Sequence, residues 1–96
     1  MKINFEKIEG KDVNGKVINI DMSKTLGNQM YRTAMSEDDM NLGKEIYIKG
    51  TIEVNPRRAA SIKRFINEGS FFAFVKCAII PTLDRIMKES TGIETK

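Results

Sequence analysis

Ten consecutive residues, Phe71-Phe72-Ala73-Phe74-Val75-Lys76-Cys77-Ala78-Ile79-Ile80, contain one charge and three of the chain's five phenylalanines. So apolar a stretch must be covered by the rest of a small protein, and it constrains the fold more than any other part of the chain. Ile62, Phe65, Ile66, Gly69, Phe72, Ala73, Ile79, Ile80, Leu83, Ile86 and Met87 recur through and around it largely at three- and four-residue steps, the one-face pattern of a helix. Within 71–80 a second line, Phe71, Phe74, Val75 and Ala78, is apolar as well, so the expectation is a buried, central helix. A buried strand competes, because Phe, Val and Ile also favour sheets; the periodicity on both sides decides for the helix. The run is too short to span a bilayer. Gly69-Ser70 predicts a break before it, one residue closing a helix and the next capping another. Pro81 predicts a kink or restart, because it has no amide hydrogen to give. Thr91-Gly92 is expected to end the last turn, leaving a frayed tail to Lys96.

The N-terminal third reads as sheet. Asn14-Gly15 predicts a hairpin with a two-residue type I′ turn, before which stand Ile3, Phe5, Ile8 and Val13 and after which Ile18, Ile20 and Met22. That turn pairs Lys11 with Ile18 and sets the apolar face of the second strand opposite charges. A bulge near Gly10 is expected to restore the parity. Ser23-Lys24-Thr25 offers caps for a short helix through Leu26, Met30 and Ala34, weakened by Gly27. Ser36, followed by Glu37, Asp38 and Asp39, opens a further helix, its acids suiting the positive end of the helix dipole. Residues 45–54 support two readings: a helix to about Ile48 with a stop at Gly50 and a short strand Thr51–Val54, or one continuous strand. Asn55-Pro56 caps a helix to Glu68 with Ala59, Ile62, Phe65 and Ile66 inward. No internal repeat, linker or low-complexity segment is apparent. The expectation is one α+β domain over residues 1–96: an N-terminal hairpin, with a possible third short strand, packed on three or four helices around 71–80.

Composition removes much chemistry. The chain has no histidine and one cysteine, so Ser/His and Cys/His catalysis and zinc spacing are excluded. Its glycines form no phosphate-cradling loop. No enzymatic activity, cofactor or metal is expected. Cys77, inside the apolar run, reads as a small hydrophobe, and a lone thiol fits a reducing cytoplasm. The start, Met1-Lys2-Ile3-Asn4-Phe5-Glu6, lacks an apolar leader, so neither export nor membrane insertion is expected.

Two binding readings remain. The net charge of +3 divides into −1 over residues 1–48 and +4 over 49–96. Arg57, Arg58, Lys63 and Arg64 carry the excess with no acid between Asn55 and Arg64, a patch suited to phosphate. A helix-turn-helix is disfavoured, since the element that would read the groove is the most apolar one. The stronger expectation is a protein partner or self-association, using Tyr31, Tyr47, Phe71 and Phe74, residue types enriched at interfaces.

The layout Leu26-Gly27-Asn28-x-x-Tyr31, then Ile46-Tyr47-x-x-Gly50-x-Ile52-x-Val54, with heavy Ile, Lys and Asn usage, resembles small uncharacterised proteins encoded in phage and prophage genomes. The resemblance implies a host-cytoplasmic setting and a non-enzymatic accessory role in assembly, regulation or blocking a host protein. It transfers no site residue.

Overall fold

The structure, a computed structural model, describes residues 1–94. Three short strands come first: β1 (Lys2–Asn4), β2 (Ile8–Lys11) and β3 (Val17–Ile20). Helices α1 (Ser23–Thr33) and α2 (Glu37–Lys49) follow, then β4 (Thr51–Glu53), α3 (Pro56–Glu68) and α4 (Ala73–Glu94). The fold is α+β, with two small antiparallel sheets, β1–β4 and β2–β3. Among the described residues no helix is long and apolar enough to cross a membrane.

The hairpin is present, but its turn differs from the expected one. Ile8 pairs with Ile20 and Lys11 with Val17, one residue out of the expected register. Gly15 N–H donates to Asp12 O and Asp12 N–H to Lys16 O, while the Asp12 carboxylate accepts from Asn14 and Lys16 N–H. Only Gly15 there has positive φ, at 81°. This is a type I turn closed by a glycine bulge, not a type I′ turn, which needs positive φ at Asn14 too. The extra residue sits at Gly15, not near Gly10. It places Ile8, Gly10, Ile18 and Ile20 on one face, toward α4.

The segment 45–54 follows its first reading. Helix α2 ends at Lys49, Gly50 adopts φ 73°, and β4 pairs with β1. Phe5 N–H donates to Gly50 O at 2.8 Å, carrying the pairing past the last strand residue. At the other end of this sheet the Met1 ammonium lies 2.7 Å from Glu53 Oε1 and holds that carboxyl below its ordinary value. Helix α3 starts as expected: the Asn55 side chain accepts from Arg58 N–H at 2.8 Å and Pro56 fills the first helical position. Ala59, Ile62, Phe65 and Ile66 are buried. Ser36 likewise caps α2 by accepting from Asp39 N–H. Helix α1 has no side-chain cap; the Asp21 carboxylate instead takes up the backbone and hydroxyl hydrogens of Ser23.

The core draws on every element except β3, and Phe5, Leu26, Met30, Ile46, Ile62, Ile66 and Leu83 are wholly enclosed. Helix α1 packs chiefly on α2, α3 on α4, and α4 on β2. The body is 22 Å through its thinnest direction, room for two layers of helix about 10 Å across. In two layers every helix keeps an outer side, so residues 71–80 are not the enclosed centre. Within them only Ile79 is fully buried, while Phe72 is 80% exposed and Phe74 38%. The buried stripe of α4 lies later, at Ile79, Leu83 and Ile86. The helix starts at Ala73 rather than at a Ser70 cap and runs unbroken through Pro81 and Gly92 to Glu94. Residues 95 and 96, at the end of the expected tail, lie outside the described residues. Cys77, expected inside, is exposed.

A short repeat underlies the helical pair α1–α2, contrary to the first impression of the sequence. Leu26-Gly27-Asn28-Gln29-Met30-Tyr31 and Leu42-Gly43-Lys44-Glu45-Ile46-Tyr47 share the pattern Leu-Gly-x-x-apolar-Tyr. In each copy the leucine and the second apolar residue are buried and the tyrosine is exposed. The two copies cross at their glycines. A Cβ on Gly27 would lie 2.7 Å from Gly43 O and 2.8 Å from Tyr47 N; one on Gly43 would lie 2.8 Å from Gly27 O and 2.8 Å from Tyr31 N. These reciprocal contacts relate two antiparallel helices by a local pseudo-twofold axis. They explain why α1 tolerates a glycine that weakens it in isolation.

Candidate binding face

The glycine crossing brings the helix backbones together and leaves Tyr31 and Tyr47 standing at equivalent positions on the outer side. Between them runs a groove of about 290 Å³ lined by Gly27, Asn28, Tyr31, Lys44, Tyr47 and Ile48. Tyr31 is 48% exposed, Tyr47 44% and Ile48 66%. Lys24 is fixed beside it. Its ammonium donates to Tyr47 O at 2.6 Å and sits 4.4 Å from the centre of the Tyr47 ring. That carbonyl belongs to the last turn of α2, where the helix supplies no amide partner. A wider, more open depression of about 680 Å³ continues along α1, lined by Lys24, Thr25, Asn28, Gln29, Arg32, Thr33 and Tyr47. No carboxylate lines either hollow. Gln29 is anchored from below, its amide donating to Phe65 O at the end of α3, at 2.8 Å.

The basic helix α3 has a different environment. Its own segment lacks acids, but the fold brings one to each cation. Arg57 lies 3.5 Å from Asp38, Arg58 3.4 Å from Glu45, Lys63 2.6 Å from Asp84 and Arg64 2.9 Å from Asp39. Arg58 also donates to Glu53 O at 2.9 Å. The hollow between the starts of α2 and α3, about 430 Å³, is lined by Asp38, Asp39 and Glu45 as well as Arg57 and Arg58. A phosphate entering there meets three carboxylates and two guanidinium groups. Two of the three acids that open α2, Asp38 and Asp39, pair with arginines of α3, and among the described residues no three of Asp, Glu and Cys gather where they could hold a metal ion.

The four residues expected at an interface fall into two places. Tyr31 and Tyr47 share the α1–α2 groove. Phe71 and Phe74 lie outside it: Phe71 is half-buried against the core. Phe74 lies over Gly10, where a Cβ would come within 3.2 Å of its ring, in a hollow shared with Cys77 and Pro81. The sequence reading missed Asn28, Lys44 and Ile48 as partners of the tyrosines, and Lys24 and Arg32 as their cations. The Leu-Gly-x-x-apolar-Tyr repeat is the signal that could have found them, because it puts both tyrosines one turn beyond a helix-crossing glycine.

No family model, no curated protein and no solved structure matches this chain.

Proposed function

We propose that the chain acts by binding and that a partner protein docks on the outer face of α1 and α2. The observation that carries this is the exposure of Tyr31, Tyr47 and Ile48 around one groove. Tyrosine buries a large apolar area with few rotatable bonds and keeps a hydroxyl for a hydrogen bond, which is why it recurs at the centres of interfaces. The floor is rigid, because two helix backbones touch beneath it. The nucleic-acid reading on α3 has weaker support, since Arg57, Arg58, Lys63 and Arg64 already hold carboxylates. A phage or prophage accessory role is the setting we attach to this reading, on the residue layout given above.

Photo-crosslinking in the cells that make the protein tests it. A benzophenone amino acid at Ile48 should give an adduct of one discrete mass, absent when the same group replaces Arg85 on α4. Equal adduct patterns from both positions, or none from Ile48, overturn the proposal.

A further inference from the structure

The charges on this face say what kind of partner it suits; the argument rests on the reading of α1–α2 as the docking face. Helix α1 carries Lys24 and Arg32 and no acid. Helix α2 carries both signs but sorts them. Asp38, Asp39 and Glu45 turn to α3, each within 3.5 Å of an arginine, while Lys44 turns into the groove. Glu37 lies outside both hollows. The face therefore presents an apolar centre of two tyrosines and Ile48, with three cations around it and no carboxylate in its lining.

We infer that the partner presents an acidic polypeptide segment, its apolar side chains filling the Tyr31–Tyr47–Ile48 groove and its carboxylates meeting Lys24, Arg32 and Lys44. Charge complementarity selects this occupant over two others. A second copy docked about a twofold axis would set this patch against itself, cation facing cation. A single-stranded nucleic acid needs open ring faces for base stacking, and one face of Tyr47 already carries the Lys24 ammonium at 4.4 Å. An amphipathic helix laid along the groove supplies both parts, apolar anchors at helical spacing and acids beside them.

The test uses three fluorescent probes on the intact chain. One is an amphipathic peptide of about twenty residues with apolar side chains at helical spacing and glutamate elsewhere; the second is its twin with lysine for every glutamate. The third is oligothymidylate. The glutamate peptide should bind more tightly than its twin by a factor on the order of ten, should weaken with salt, and should shift the amide resonances of Asn28, Tyr31, Lys44, Tyr47 and Ile48. Arg32→Glu with Lys44→Glu should lower its affinity by on the order of tenfold. Lys16→Glu with Arg85→Glu, the same change of net charge placed elsewhere, should alter it by less than about twofold. Equal binding of both peptides at this face overturns the acidic segment and leaves the docking face standing. Perturbation of this face by oligothymidylate alone, by self-association alone, or by no probe at all overturns both.

Discussion

Replacing Gly27 by alanine sets two well-defined terms against each other. In a helix interior alanine is better than glycine by about 1 kcal/mol. At this crossing, however, the methyl would lie 2.7 Å from Gly43 O and 2.8 Å from Tyr47 N, where ordinary contact begins at 3.4 Å. Both are backbone atoms within a helix and neither can rotate away. The helices must part by about 0.7 Å, the difference between those distances. A gap of that size forfeits roughly a quarter to a half of the dispersion attraction between facing atoms. The buried Leu26, Met30, Leu42 and Ile46 on the same helices lose packing with it. We set the steric loss at about 3 kcal/mol, the upper end for overpacking, because backbone meets backbone. Less the propensity gain, the net loss is about 2 kcal/mol, or roughly 10 °C in melting temperature for a domain this small. Gly43→Ala meets Gly27 O and Tyr31 N in the same way and should cost about as much. The two losses should not add: once one methyl has parted the helices the second finds room and escapes its steric loss, so the double variant should be up to about 3 kcal/mol more stable than the sum. Urea unfolding followed by far-ultraviolet circular dichroism measures all three. A single variant more stable than the parent by about 1 kcal/mol would show that propensity alone operates and that the backbones do not touch.

Two further outcomes concern the hairpin and the thiol. Gly15 has φ 81° and open space around it, so Gly15→Ala should lose about 1 kcal/mol through the backbone alone, while Gly15→Asn should lose less because asparagine tolerates that conformation; equal losses would point to a contact instead. Cys77 is exposed, so a thiol reagent should label the native protein to one equivalent without denaturant, and labelling that required unfolding would put Cys77 back in the core.

What the sequence discloses and what it conceals divide along one physical line. Signals confined to a few neighbouring residues carry through. Asn55-Pro56 makes an N-terminus because one side chain reaches one amide, and Gly50 makes a stop because its own backbone can take positive φ. The inward row Ala59, Ile62, Phe65 and Ile66 follows from helical period alone. Quantities that depend on distant partners do not carry through. The apolar content of 71–80 says that cover is wanted, not that two layers can supply it. The charge of α3 is cancelled by Asp38, Asp39, Glu45 and Asp84, which no window around Arg57 contains. The hairpin itself carries through, but its turn type and register do not, for a subtler reason: Asn14-Gly15 suits both a type I′ turn and a type I turn with a glycine bulge, and the two differ by one residue of register. The α1–α2 face was half legible. Tyr31 and Tyr47 stood out as types, but what makes them neighbours is a glycine contact between helices.

The pseudo-twofold axis through that contact bears on direction. A segment laid across the axis meets a tyrosine on either side whichever end enters first, so the two rings by themselves cannot tell its amino terminus from its carboxyl terminus. Polarity can be read only where the two halves differ. They differ at three places beside the tyrosines: Lys24 on α1, held over the Tyr47 ring, answers to Met40 on α2, Asn28 answers to Lys44, and Arg32 answers to Ile48. The α1 half is thus cationic, polar, cationic, and the α2 half apolar, cationic, aliphatic. Those six side chains, rather than the conspicuous aromatic pair, are where a bound chain would learn which way to lie.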